Sequence, residues 1–181
     1  MLMVVVHRKV SRSPVQLMIY SLWLFDRHCE CIYTRHWNRG QREEAKESAE
    51  NDDDDAKLLF GVVFSLRNMV QKLDPSIEST SPYGTGSGGE FVSYRTSAYK
   101  LHYYESPTSL KFIMISDIKV DSLRLVLHQI YVSLYVEYVV KNPLASVEHG
   151  RLNKDEEGEG VGVELFNMAL DSFVTSLDAF K

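Results

Sequence analysis

The residues best equipped for chemistry gather in one short stretch, His28-Cys29-Glu30-Cys31. Thiolates and imidazoles are natural zinc ligands, and His28 or His36 could join the two sulfurs around a metal. A structural zinc site takes four ligands, with spacing nearer Cys-x-x-Cys. Here the thiols are one residue apart and no second cysteine pair exists. A hairpin turn carrying two small thiols accounts for the pattern better than a metal site. The same closeness rules out an ordinary structural disulfide, so the pair suggests a reducing, cytosolic compartment.

Two other temptations fail on context. Gly84-Thr85-Gly86-Ser87-Gly88-Gly89 has the composition of a phosphate-cradling loop, but Glu90 and a predicted strand follow it. A P-loop needs Gly-Lys-Ser/Thr and a helix at that point, so the stretch reads as a flexible linker. The histidines at 7, 28, 36, 102, 128 and 149 are scattered, and no nucleophile elbow or metalloprotease signature accompanies them. No catalytic residue, metal ligand or cofactor is expected.

Charge narrows the partner classes. The net charge of −5 is unevenly spread. Residues 41–55 carry −6 and residues 154–159 carry −3, while residues 1–18 carry +3, which leaves the remainder near +1. A nucleic-acid binder normally shows a concentrated basic stripe, and none is present, so nucleic acid is not an expected partner. Residues 1–18 place an apolar run before their basic residues, the reverse of a signal peptide. No uncharged stretch is long enough to span a bilayer.

These residues need elements to hold them. Residues 1–18 lack periodicity and are expected to be a poorly ordered extension. Ile19 to Asp26 reads as an apolar strand, residues 26–29 as a turn, and Glu30 to His36 as its hairpin partner. Residues 38–55 are charged and lack aromatics, the signature of a solvated, disordered insertion. The acids at its end stand where a helix dipole favours them. Residues 56–73 form a helix whose buried face is expected to carry Leu59, Val62, Val63, Leu66, Met69, Val70 and Leu73. Flexible residues 74–90 lead to three strands, near 91–98, 99–106 and 110–116. A helix near 120–141 follows, with Asp117 or Asp121 as candidate caps. Residues 144–160 form a second polar loop before an amphipathic helix from about 162 to 177. The order strand, strand, helix, three strands, helix, helix predicts an α+β domain built on a five-stranded, mainly antiparallel sheet.

Two helices carry more apolar surface than one core face requires. On the first, Phe60 and Phe64 fall one turn apart beside Lys57, Arg67, Asn68 and Gln71. They either fill a hollow in the same domain or dock on another protein. On the second, Tyr131, Tyr135, Tyr138, Val126, Ile130, Leu134 and Val139 leave only a narrow polar stripe of Ser122, Gln129, Ser133 and Glu137. A helix apolar around most of its circumference is usually covered on several sides.

Four blocks resemble a known family. They are Tyr20 to Cys29, Lys57 to Arg67, Thr96 to Thr108, and Leu134 to Leu144. In this order, over about residues 19–180, they are similar to the smallest longin-like subunits of TRAPP, the transport protein particle, relatives of sybindin. The resemblance implies a longin (profilin-like) fold, with one helix on one sheet face and two on the other. It also implies a non-catalytic subunit of a cytoplasmic complex, peripheral at cis-Golgi and endoplasmic reticulum membranes. Such a complex tethers vesicles and, as an assembly, exchanges nucleotide on a Rab/Ypt-type GTPase. The partners implied are a sybindin-like longin subunit and an acyl-binding-family subunit. The membrane is met only through the complex. Residues 1–17, 38–55 and 79–90 exceed the family minimum, and Met18 offers an alternative initiator. Longin pairs offer their first helix to a GTPase, so Lys57, Phe60, Phe64, Arg67 and Asn68, with Tyr131, Tyr135 and Tyr138, are the partner-binding candidates. The alternative is another longin-type trafficking module, SNARE-like or a coat-adaptor domain.

Overall fold

The computed structural model describes residues 18–37, 48–73, 91–145 and 161–177. Residues 1–17 of the expected extension 1–18, the loop 74–90, residues 146–160 of the expected loop 144–160, and most of the acidic insertion lie outside these residues.

β1 (Ile19–Phe25) and β2 (Cys31–His36) form the first hairpin, and α1 (Ser48–Leu73) follows. β3 (Ser93–Arg95), β4 (Lys100–Glu105) and β5 (Lys111–Ser116) form a meander. α2 begins α-helical at Arg124–Gln129 and continues as a π-helix over Ile130–Val140; α3 is Glu164–Ser176. The strands lie in the order β2-β1-β5-β4-β3, every neighbour antiparallel. β1 and β5 therefore occupy the middle, which explains why both are apolar nearly throughout: Leu22, Leu24, Phe112, Ile113 and Met114 are fully buried.

Strand alternation divides the core into two clusters. Trp23, Phe25, Leu101, Tyr103 and Ile113 pack with Ala56, Val63, Leu59, Leu66 and Val70 of α1. Leu22, Leu24, Tyr104, Phe112 and Met114 pack with Leu127, Ile130, Tyr135 and Val139 of α2 and with Phe166, Leu170 and Val174 of α3.

Four local expectations need correcting. α1 starts at Ser48, inside the stretch expected to be disordered; the acids at its leading end favour the positive end of the helix dipole. β3 is only three residues long. Neither Asp117 nor Asp121 caps α2: the capping position is Leu123, without a side-chain hydrogen bond. The cap role passes to the sheet instead, because the Leu123 N–H donates to His102 Nδ1 at 3.3 Å. Last, α1 does not bury Val62, Met69 and Leu73, which are exposed. Only the stripe of Ala56, Leu59, Val63, Leu66 and Val70 packs against the sheet.

The hairpin turns at one end of the sheet are built alike. The Asp26 N–H donates to Glu30 O and the Ser106 N–H to Leu110 O. Asp26 Oδ1 accepts from the Glu30 N–H, as Ser106 Oγ does from the Leu110 N–H. Each turn closes through a non-glycine residue at positive φ, Cys29 at 70° and Ser109 at 63°. Buried Lys111 ties them together by donating to Asp26 O at 3.2 Å and Ser109 O at 3.1 Å.

Candidate partner-binding surface

No catalytic constellation assembles among the described residues, and no group of three or more His, Cys, Asp or Glu side chains there is placed to hold a metal. Cys29 is exposed in the turn, while Cys31 lies half-buried against Tyr33 O and Thr34 Oγ1, so the two thiols do not share a strand face. His28 pairs with Asp26 at 2.8 Å on the surface. His102 is buried and holds a fixed tautomer. Its Nδ1 accepts from Leu123, so Nε2 carries the proton and donates to Ser116 Oγ at 2.9 Å; that hydroxyl in turn donates to Asp117 O. Burial, assisted by the Lys100 charge, lowers its pKa to about 4. This histidine joins the sheet to the start of α2 and faces no open site.

The surface of α1 is the distinctive feature. Phe60 is half-buried, its ring 5.5 Å from Phe25, and it stacks on Phe64 at 6.1 Å. Phe60 thus fills the domain's own hollow, whereas Phe64 remains 53% exposed. Lys57 is turned back along the helix to Asp53 at 2.6 Å and Asp54 at 3.2 Å, and those hydrogen bonds raise its pKa. Arg67 bonds Glu105 at 2.8 Å, and the Tyr103 hydroxyl donates to the same carboxylate at 3.0 Å. Asn68 is half-buried. Of the five α1 candidates, then, Phe64 has its side chain most clearly unengaged by the rest of the domain.

Sequence periodicity missed four further residues: Leu58, Val62, Met69 and Leu73 are all exposed. Three of these were assigned to the core, because three-and-four spacing cannot tell a broad apolar arc from two adjoining ones. Between them and Phe64, at helical spacing, lie Gly61 and Ser65. A Cβ added to Gly61 would meet nothing within 4 Å. A mid-helix glycine costs roughly 0.5–1 kcal/mol relative to alanine, and nothing among the described residues requires it. Leu58, Val62, Met69 and Leu73 recur at helical spacing along one flank of α1, Phe64 stands on the other flank beside Phe60, and Gly61 and Ser65 lie between the two.

The three tyrosine candidates separate. Tyr131 is half-buried, 5.9 Å from Phe112 and 6.2 Å from Tyr104, and Tyr138 packs half-buried beside the core. Tyr135 is interior, 4% exposed, with its ring 6.2 Å from Phe166, and desolvation pushes its pKa up to about 12. Its expected surface role is therefore corrected. The cause is the π winding: five-residue spacing carries the inward face from Ile130 to Tyr135, where an α-helix would favour Leu134.

A five-stranded antiparallel sheet with three helices defines a longin-type domain. The chain belongs to the Sybindin-like family, which matches residues 19–177. It is 41% identical over 170 residues to the Transport protein particle subunit bet5 of Schizosaccharomyces pombe, covering 91% of this chain and 100% of that protein. It is 40% identical to the Trafficking protein particle complex subunit 1 of Rattus norvegicus, covering 91% and 97%. A more distant relative is the Trafficking protein particle complex subunit 4 of Dictyostelium discoideum, 38% identical over 93 residues, covering 51% of this chain and 67% of that protein.

Proposed function

We propose that this chain is a non-catalytic subunit of the TRAPP complex and that the outward face of α1 joins it to a neighbouring protein of that assembly. The observation that carries the site is the exposed apolar row of Leu58, Val62, Met69 and Leu73 along one flank of α1, with Phe64 exposed on the other. Exposed apolar residues scattered singly are normal, but a contiguous set on one helix face is the mark of an interaction surface. The identity of the assembly rests on the similarity to particle subunits over nearly the whole chain.

In this reading the assembled complex exchanges nucleotide on a Rab/Ypt-type GTPase and tethers vesicles between endoplasmic reticulum and Golgi. The neighbours are a sybindin-like longin subunit and an acyl-binding-family subunit. Exchange works by stabilising the nucleotide-free GTPase, so the work falls to protein surfaces. Among the described residues no helix is long and apolar enough to cross a membrane, which suits a peripheral role through the complex.

The test follows from the geometry. Phe60 supports the fold, so alanine there would confuse stability with binding. Phe64→Ser with Met69→Lys changes only exposed positions and should leave the thermal midpoint within a few degrees. The double variant is expected to lose co-purification with the other subunits and to lower exchange by the reconstituted complex at least tenfold. Normal co-purification and exchange would remove α1 from the interface.

A further inference from the structure

We propose that α2 is a two-state element: over Ile130–Val140 its sequence carries two inward faces, one used by the π winding and one by an α winding, and the helix exchanges between them.

The change of winding lies within one helix. At the start of α2 the Leu127 N–H donates to Leu123 O, four residues back, at 2.9 Å. At its end the Lys141 N–H donates to Val136 O, five residues back, at 3.0 Å. The π part runs for 11 residues. Such winding is ordinarily confined to single turns inside α-helices, and those turns are frequent at functional sites. No proline or glycine stands within Ile130–Val140 to force it.

The sequence accommodates both windings. In the π form Ile130, Tyr135 and Val139 are buried. Tyr135 lies between Phe112 and Phe166, with ring centroids 6.1 and 6.2 Å away. Continued at α spacing from Leu127, the inward face becomes Ile130, Tyr131, Leu134 and Tyr138, in steps of three and four. Tyr131, Leu134 and Tyr138 already pack partly buried against the same core. Rewinding therefore exchanges Tyr135 and Val139 for Leu134 and Tyr138 and keeps the core apolar. A helix with one winding needs only one such face; two faces account for a helix that is apolar almost all round.

Glu137 sets the balance in the free chain. In the π form it is exposed and pairs with Lys141 at 2.6 Å. At α spacing it follows Ile130 by seven residues and Leu134 by three, which turns its carboxylate toward the core margin at a cost in hydration. Exposed Val140 and Leu144 stand at the end of the segment and turn with it. The device thus couples the buried rings of Phe112 and Phe166 to an apolar surface at the end of α2. A molecule that binds one form better shifts the population by its differential affinity.

Relaxation dispersion on the full chain, with isotope-labelled tyrosine rings, tests this because it reads microsecond-to-millisecond exchange. Tyr131, Tyr135 and Tyr138 should share one exchange rate and one population. Tyr94 and Tyr103, on strands that do not carry the α2 core face, should show none of it. Flat profiles at all three α2 rings overturn the proposal. Deleting Ser133 brings Tyr135 and Val139 to four and eight residues after Ile130, so that α winding alone buries all three. That variant should lose the exchange and keep the thermal midpoint of the parent chain or exceed it; persistent exchange overturns the proposal. Glu137→Leu retains the chain length and should raise the minor population roughly tenfold. An unchanged population in Glu137→Leu overturns the proposal, whether or not the deletion variant folds.

Discussion

Single residues carry the strain and the pH response of this domain. Cys29 and Ser109 sit at positive φ, a region that costs an L-residue roughly 1–2 kcal/mol. Replacing either by glycine should raise stability by about 0.5–1 kcal/mol, once the greater freedom of glycine in the unfolded chain is subtracted. A denaturant titration would show this as a higher midpoint with an unchanged slope. His102 gives the second prediction. Its folded pKa of about 4 lies below the ordinary 6.5, so between those values the unfolded chain binds the extra proton. Stability should therefore be unaffected by this group above pH 6.5. It should fall as pH drops toward 4, by about 3 kcal/mol in all. His102→Gln should cost stability at neutral pH and flatten that window. An unchanged pH slope in the variant would show that another group titrates there.

At the scale of elements, α1 and α2 have opposite relations to their own sequences. α1 has apolar residues on more than one side, and only the stripe facing the sheet is buried. Its outward glycine makes a clean prediction. Gly61→Ala should raise the thermal midpoint by a few degrees, since the added methyl meets nothing among the described residues. If a partner approaches the backbone at that point, the same variant should bind the assembly more weakly. A stabilised chain that also assembles normally would show that α1 is not approached closely at Gly61. α2 carries its apolar residues almost all round and buries many of them, because the π winding turns Tyr135 and Val139 inward and leaves Tyr131 and Tyr138 at the margin.

For the molecule as a whole, the closing contact is the clamp of α3 against β2. Arg35 and Trp37 both bond Asp171, far apart in sequence but joined across the sheet edge. Asp171→Ala strands two donors on partly buried side chains and should destabilise the domain by about 1–3 kcal/mol. Urea unfolding at neutral pH reads this directly; a midpoint like wild type would mean that apolar packing of Phe166, Leu170 and Val174 alone retains α3.

Hydrophobic period and turn chemistry determined much of this protein from its sequence alone. They set the order of strands and helices, the first hairpin, the apolar central strands and the amphipathic character of α3. These are local properties, written in neighbouring residues, and resemblance in four blocks supplied the family. Only the tertiary structure decided which apolar residues are left over. Whether Val62 faces a core depends on how much sheet lies beneath α1, and whether Tyr135 is inside depends on a change of helical winding. Likewise His102, and no aspartate, caps α2, because a strand distant in sequence brings its ring to that backbone. Burial is a relation between elements, and the exposed apolar residues of α1 are what that relation leaves uncovered.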